Sequence, residues 1–476
     1  MDVRNAVGDV PLAVDLDGTL LHTDVLWENA LALLGRNPLI LFLLPFWLLR
    51  GRAHLKRMLA LRAPVDPAAL PYDARVLELL EASAGRPRWL VTAADHAQAE
   101  AIAAYLGRFD GVIASDGVSN LAGPAKAAAL VERFGDRGFD YLGNGPVDLR
   151  VWRHARRGWV VNAPGSLSRR AAALTEVVAH WPRSHSVAGA WLRAIRLHQW
   201  MKNLLVFVPL AAAHRFFDAQ AILASMQAFL AFGLCASGVY IANDLLDLAN
   251  DRRHPRKRLR PFASGRIPLL HGMVAAPLLA LAGLALAWRL SPAFVAVLAV
   301  YWLSTLAYSL WLKRIQMLDV TVLAGLYTVR IVGGAVAITV PLSFWLLAFS
   351  MFIFLSLALL KRYTELAAMA SDGGDRAHGR GYMTADLPLL QSLGGSSGYI
   401  AVLVLALYIN SPDSIELYSR PQLLWLLCPL LLYWVGRAWA LAHRGRMHDD
   451  PVVFAVTDRV SLVVAALFGL VVFGAI

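Results

Sequence analysis

The chain has 476 residues, 58% of them hydrophobic, with a mean hydropathy of +0.53 and a net charge of +12. So apolar a composition, above that of an ordinary soluble domain, excludes a wholly soluble protein. The basic surplus falls in loops between apolar runs, the positive-inside pattern of a membrane protein, and excludes the basic stripe of a nucleic-acid binder.

The apolar excess is uneven. Up to about Arg183 the sequence alternates as a soluble α/β domain does, and beyond Trp191 it is a procession of apolar runs. We therefore expect a soluble part over 1–183, a linker and amphipathic entry over 184–199, and a membrane part over 200–476. The chain opens on acidic and polar residues followed by a strand, with no visible cleavable signal peptide, so the soluble part is expected in the cytoplasm.

Pro11-Leu-Ala-Val-Asp15-Leu-Asp17-Gly18 is an apolar strand running into a carboxylate-rich turn. Trp89-Leu-Val-Thr92 is a second strand, ending in a hydroxyl. Lys126 follows in Gly-Pro-Ala-Lys, and Phe139-Asp-Tyr-Leu-Gly143-Asn144 leads to Asp148. Chemistry sits at the carboxyl ends of strands in open α/β sheets, and all four pieces suit that placement.

These residues resemble the four motifs of the haloacid dehalogenase-like phosphatase superfamily. The resemblance implies a Rossmann-type parallel sheet with a cap, here over 22–86. It also implies that Asp15 is the nucleophile and Asp17 the general acid/base, with Thr92 and Lys126 holding the phosphoryl group. Mg²⁺ would be held by Asp15, Asp17, Asn144 and Asp148. A carboxylate can serve as covalent nucleophile when cations neutralise the phosphoryl oxygens. Where the family usually has Gly-Asp, this chain has Gly143-Asn144, an oxygen ligand without charge.

Within the cap, residues 37–50 form an apolar run of about fourteen residues, against the roughly twenty needed to span a bilayer. With Arg50, Arg52 and Lys56 beside it, the run reads as a helix in the membrane interface or as a buried core helix.

Nine apolar runs follow, near 200–214, 220–242, 268–288, 293–312, 318–337, 341–360, 393–410, 421–441 and 460–476. The loops after the second, fourth, sixth and eighth carry the charge: Arg252 to Arg266, Lys313-Arg314, Lys361 to Arg380 and Arg444 to Arg459. The opposite loops are nearly uncharged apart from Arg215, Arg289 and Arg420. The charged loops are thus expected on the cytoplasmic side of the inner membrane.

Asn243-Asp244-Leu-Leu-Asp247-Leu-Ala-Asn-Asp251 closes the second run. Acids at i, i+3 and i+7 share one helical face, and three together repel unless a hard cation binds them. Mg²⁺, which shares its ligands with phosphates, suits them. The bland alternative is a solvated acidic helix end answered by Arg252, Arg253, Arg256, Lys257, Arg258 and Arg260. Acids are favoured at helix N-termini, however, and these lie at a C-terminal end.

This motif on about nine helices resembles the UbiA family of polyprenyl transferases. The family usually has a second acidic motif near the start of its fifth helix, where this chain keeps only Asp319, with Ile315 and Leu323 at the neighbouring motif positions. Several segments resemble the polyprenyl-phosphate phosphoribosyltransferase branch. They are His198-Gln-Trp-Met-Lys202-Asn, Asp251 to Pro261, Leu318-Asp319 through Arg330, Lys361-Arg362-Tyr363-Thr-Glu365 and Arg380-Gly-Tyr382.

That resemblance implies transfer of 5-phosphoribose from phosphoribosyl diphosphate to a polyprenyl phosphate. Asp244, Asp247 and Asp251 would act with Mg²⁺. Lys202, Asn243, Lys257, Arg258, Lys313, Asp319, Arg330, Lys361, Arg362 and Tyr363 would bind the substrates. The first part would then remove the 5-phosphate of the product, a precursor of lipid-linked arabinose. The alternative is an ordinary prenyltransferase moving a polyprenyl group from its diphosphate to an aromatic or other acceptor. A scaffold or transporter with relic motifs is a third reading, opposed by the acids and by Arg330 inside an apolar run. The expected partners are these substrates and membrane lipid, with no nucleic acid and no identifiable protein partner.

Overall fold

The computed structural model describes residues 10–183, 186–371, 381–447 and 451–476. The chain divides into two compact units, residues 1–195 with 240–277, and residues 196–239 with 278–476.

The first unit is built on a six-stranded sheet: β1 (Leu12–Val14), β2 (Arg88–Asp95), β3 (Gly111–Ser115), β4 (Asp140–Gly143), β5 (Arg157–Val161) and β6 (Glu176–Trp181), in the order β3-β2-β1-β4-β5-β6. Every pairing is parallel. Alternation along β1 sends Leu12 and Val14 into one apolar core and Ala13 into the other, so both faces of the sheet are covered, as a parallel sheet requires. β1 lies between β2 and β4, where the strand order reverses and the loops beyond the carboxyl ends leave a crevice. This is the sheet and the strand position implied by the haloacid dehalogenase resemblance.

The apolar run of the cap is not one helix. It is a 3₁₀ turn, Pro38–Phe42, followed by a short helix, Leu44–Leu49, with Pro45 in its first turn. The buried-core alternative is overturned: Trp47 is buried, but Phe42, Phe46 and Leu49 lie open, the last at 83% exposure.

The membrane part is helical. Among the described residues seven helices are long and apolar enough to cross a membrane: Ala219–Leu246, Leu269–Leu290, Pro292–Leu310, Leu318–Ala337, Phe344–Ser371, Thr384–Ile409 and Pro421–His443. An eighth apolar helix, Arg459–Ala475, has 17 residues, at the short end of the spanning range.

The first of the nine expected runs is different. It forms an 11-residue 3₁₀ helix, Leu197–Phe207, and a five-residue α-helix, Val208–Ala212, with Pro209 in its first turn. So long a 3₁₀ stretch needs support. Gly334 gives it: a Cβ there would lie 2.1 Å from the Val206 carbonyl oxygen, so only glycine admits that backbone. Cys235 and Cys428 are buried and free.

Candidate functional site

Three of the four phosphatase-like motifs converge by direct contact at the end of β1. Asp15 is buried, and its Oδ1 accepts from Lys126 Nζ at 2.6 Å while its Oδ2 accepts from Thr19 at 3.2 Å. Lys126 also reaches the Tyr141 hydroxyl at 3.3 Å, and that hydroxyl donates to Asp148 Oδ1 at 2.7 Å. Asp148 Oδ2 accepts from the backbone N–H of Asn144 and of Gly145. Thr92, fully buried, turns its Oγ1 to the Ala94 N–H at 3.0 Å, capping the bend where β2 ends.

Burial pushes the Asp15 carboxyl up to about 6, against the pull of Lys126. Burial, then Asp24, holds Asp17 well above the usual carboxylate range, although its Oδ1 accepts the Val25 N–H at 2.9 Å. The two carboxyls therefore differ in surroundings: Asp15 is bonded to a lysine, whereas Asp17 accepts a backbone N–H and lies near a further acid, Asp24. That difference suits a nucleophile and a proton donor. Burial opposes the charge of Lys126, yet Asp15 and Asp148 outweigh it and raise its pKa.

Gly18 sits at φ +77, and a Cβ on it would fall 2.0 Å from Asn144 Nδ2. Asn144 thus packs directly on the turn that follows β1. Among the described residues no three His, Cys, Asp or Glu side chains are gathered into a metal cage. The expected donors Asp15, Asp17, Asn144 and Asp148 nevertheless offer three carboxylates and one amide oxygen, which is the chemistry Mg²⁺ takes.

Two residues here carry no motif. Lys56, from the cap, donates to the Ala93 carbonyl at 2.5 Å and to Asn120 at 3.0 Å, so the cap is latched over the end of β2. Its pKa is lowered by burial. Asn162, at positive φ after β5, donates to the Gly18 carbonyl at 3.1 Å and to Asp73 at 3.0 Å. Only the charge of Lys56, set beside an apolar run, signals itself in the sequence.

The Asn-Asp motif also lies in the first unit. The long helix ends at Leu246, Asp247 stands at the junction with φ −97, and a short helix Leu248–Arg253 follows. The expectation of one continuous helical face is corrected to this extent. The backbone ladder persists across the break, Asp247 N–H to Asn243 and Asp251 N–H to Asp247, so the three acids stay close in sequence-turn register.

Asp244 and Asp251 are buried and Asp247 is half-buried. Arg260 bridges the outer two, its Nη1 lying 3.1 Å from Asp244 and 2.7 Å from Asp251. Burial raises the Asp251 pKa, with Arg260 opposing. This is not a solvated helix end. The donors are again hard oxygens suited to Mg²⁺, and the guanidinium sets a countercharge between two of them. Asn243 is half-buried beside them, while Lys257 and Arg258 are exposed and make no side-chain hydrogen bond among the described residues.

The remaining expected residues lie in the second unit. Asp319 is fully buried and accepts from Arg362 Nε and from the Tyr382 hydroxyl, both at 2.5 Å. Arg362 also holds Glu365 and the Tyr308 hydroxyl at 2.6 Å. Arg330 donates to Asn203 and to the Tyr301 hydroxyl at 2.9 Å, and to the Leu326 carbonyl. Lys202 is buried with its Nζ over the Tyr327 ring. Tyr363 pairs with His443 at 3.1 Å, and Lys361 is half-buried. Lys313 is half-buried and makes no side-chain hydrogen bond among the described residues. Arg380 lies outside the described residues.

The sequence profile of the UbiA prenyltransferase family matches residues 204–473. Three relatives are informative. Protein y4nM of Sinorhizobium fredii, of uncharacterised function, is 40% identical over 464 residues, 96% of this chain and 89% of that protein. Nodulation protein NoeC of Azorhizobium caulinodans is 39% identical over 275 residues, 57% of this chain and 89% of that protein. A decaprenyl-phosphate phosphoribosyltransferase of Mycolicibacterium smegmatis is 31% identical over 285 residues, 59% of this chain and 89% of that protein. A helical membrane bundle, an acidic motif closing a long helix and a profile match across its membrane part agree: the chain is a multi-pass membrane enzyme of the UbiA prenyltransferase family.

Proposed function

We propose that the chain is a bifunctional enzyme. Residues 200–476 transfer 5-phosphoribose from phosphoribosyl diphosphate to a polyprenyl phosphate, and residues 1–183 remove the 5-phosphate from the product. The observation that carries the transferase reading is the state of Asp319. An ordinary prenyltransferase presents a second acidic motif here, whereas Asp319 is wholly buried and bonded to Arg362 and Tyr382. One acidic cluster and many cations suit two polyanionic substrates better than an allylic diphosphate and a neutral acceptor. The phosphoribosyltransferase among the relatives supports the same choice.

In the transfer, a lipid phosphate oxygen attacks the anomeric carbon of ribose. The bond from that carbon to pyrophosphate oxygen breaks, and its electron pair leaves with pyrophosphate. Asp244, Asp247 and Asp251 would hold Mg²⁺, which neutralises the departing charge when bound. Lys257 and Arg258 are available to phosphate oxygens, the arginine in bidentate fashion. A phosphate nucleophile needs no general base.

In the second reaction an Asp15 oxygen attacks phosphorus, and the sugar oxygen leaves with the proton of Asp17. Water then attacks the phosphoaspartate, Asp17 takes its proton, and phosphate departs with Asp15 restored. Asp15, Asp17, Asn144 and Asp148 would hold Mg²⁺ there. Lys126 and Thr92 steady the phosphoryl oxygens. The open apolar face of 37–50 lies in the membrane interface, on the cytoplasmic side of the inner membrane.

The test is incubation of the intact chain in detergent with Mg²⁺, ribose-labelled phosphoribosyl diphosphate and a polyprenyl phosphate. Label enters the lipid phase and is lost in Asp247→Ala. Absence of label, with product formed from a polyprenyl diphosphate and an aromatic acceptor, would transfer the case to the ordinary prenyltransferase.

A further inference from the structure

A cavity of about 420 Å³ opens beside the catalytic turn, with Asp17, Gly18 and Asn144 on one side. Part of its lining does not come from the phosphatase-like sequence at all. That wall is made by residues 264–271, which follow the Asn-Asp motif and belong to the same compact unit.

This wall is fixed in place. Gly265 has φ +70, and a Cβ on it would fall 2.3 Å from the His22 carbonyl oxygen, so the loop lies directly on the catalytic turn. Just before it, Arg252 donates to the Ala263 carbonyl at 2.9 Å and forms a buried ion pair with Glu28, itself bonded to Thr23. The two segments are thus tied at the start of the wall.

The wall also brings a cation. Arg266 is half-buried and lines the cavity, yet its guanidinium makes no hydrogen bond or ion pair among the described residues. Arg183 lines the same cavity; its Nε donates to the Asn162 carbonyl at 3.0 Å, and its terminal nitrogens make no hydrogen bond among the described residues. A guanidinium has five donors, and two such groups facing one cavity call for an anion. The phosphoryl position at Asp15 and Lys126 has its own cation already. Trp27, Leu269 and Leu270 give the same cavity an apolar border.

We infer that residues 264–271 complete the pocket of the phosphatase-like domain, and that Arg266 with Arg183 forms a subsite for a second anion. The substrate class is then a sugar phosphomonoester that also carries a phosphodiester with an apolar chain. The chain itself exceeds this volume and leaves along Leu269 and Leu270. This rests on the reading of the domain as a phosphatase, and it names what that domain selects.

The experiment compares two substrates on the intact chain in detergent with Mg²⁺: ribose 5-phosphate, and a 5-phosphoribosyl 1-(decyl phosphate). Phosphate release is measured for wild type, Arg266→Ala, Arg266→Lys and Arg183→Ala. The two-anion substrate has the higher kcat/KM, and Arg266→Ala lowers the ratio of the two kcat/KM values at least ten-fold, mainly through KM. Arg266→Lys restores part of it. An unchanged ratio overturns the subsite, because a loss of folding alone depresses both substrates together.

The binding of both compounds to Asp15→Asn, by calorimetry, separates the two claims. If wild type releases phosphate from neither compound, the phosphatase reading fails. The subsite then stands if tighter binding of the two-anion compound depends on Arg266, and falls if it does not.

Discussion

Arg362 and Asp319 hold each other at 2.5 Å, both of them buried, with the Tyr382 hydroxyl on the other carboxylate oxygen. Each was expected to meet substrate. In the structure they join the helices Leu318–Ala337 and Phe344–Ser371. Removing one partner strands a buried charge, at about 3–5 kcal/mol. Asp319→Ala is therefore expected to unfold in detergent well below wild type, while Tyr382→Phe, which deletes one hydroxyl, shifts the midpoint less. Thermal unfolding followed by size-exclusion chromatography decides. A fully stable Asp319→Ala lacking only transfer would return Asp319 to the substrate site.

The Glu28–Arg252 pair gives a second prediction. Both side chains are nearly inaccessible, and Arg252 contacts both carboxylate oxygens at 2.5 and 3.0 Å. Arg252→Met alone leaves Glu28 buried and unpaired, and should cost about 3–5 kcal/mol. Pairing it with Glu28→Gln should recover much of that loss, since neither charge then remains. Limited proteolysis of the single and double variants, read as the rate of cleavage in the first unit, measures the recovery. Equal cleavage in both variants would show the pair to be immaterial.

Gly18 and Asn144 make a third. Gly18→Ala places a methyl group against the Asn144 amide in a backbone conformation that only glycine adopts freely. Phosphate release should fall by more than a hundred-fold. Asn144→Asp, which needs no extra space, adds a carboxylate to the oxygen set. It should lower the Mg²⁺ concentration for half-maximal phosphate release several-fold, as titration of that activity would reveal. A midpoint that does not move would remove residue 144 from the metal set.

Chelation supplies a fourth. Both proposed reactions use oxygen-only donor sets, so EDTA should abolish transfer and phosphate release alike, and Mg²⁺ should restore both. Survival of either activity at full chelation would take Mg²⁺ out of that reaction.

Much of this architecture is legible in the sequence, for identifiable reasons. A short unbroken apolar run marks β1, and its flow into Asp15 and Asp17 marks the carboxylate-rich turn. Long apolar runs mark the spanning helices, because hydropathy needs no tertiary information. What could not be read depends on contacts distant in sequence. The first apolar run has ordinary helix composition, and its 3₁₀ form follows from the close approach of Val206 to Gly334. The bridging role of Arg260 is hidden among neighbouring basic residues of the same kind. Asn162 has no periodic signature, only a positive φ imposed by the fold. The sequence shows Asp319 only as the one acid at the place of a second acidic motif, because its partners, Arg362 and Tyr382, lie far along the chain.

The most direct test of the bifunctional account uses phosphoribosyl diphosphate labelled with carbon-14 in ribose and phosphorus-32 in the 5-phosphate. The intact chain is incubated with it, polyprenyl phosphate and Mg²⁺, and the ratio of the two labels is followed in the lipid phase. Wild type should deliver carbon-14 to lipid and progressively lose phosphorus-32, whereas Asp15→Asn should keep both labels and Asp247→Ala should deliver neither. Carbon-14 entering lipid with the phosphorus-32 retained equally in wild type and Asp15→Asn would contradict the coupling, and no carbon-14 in lipid would contradict the transfer itself.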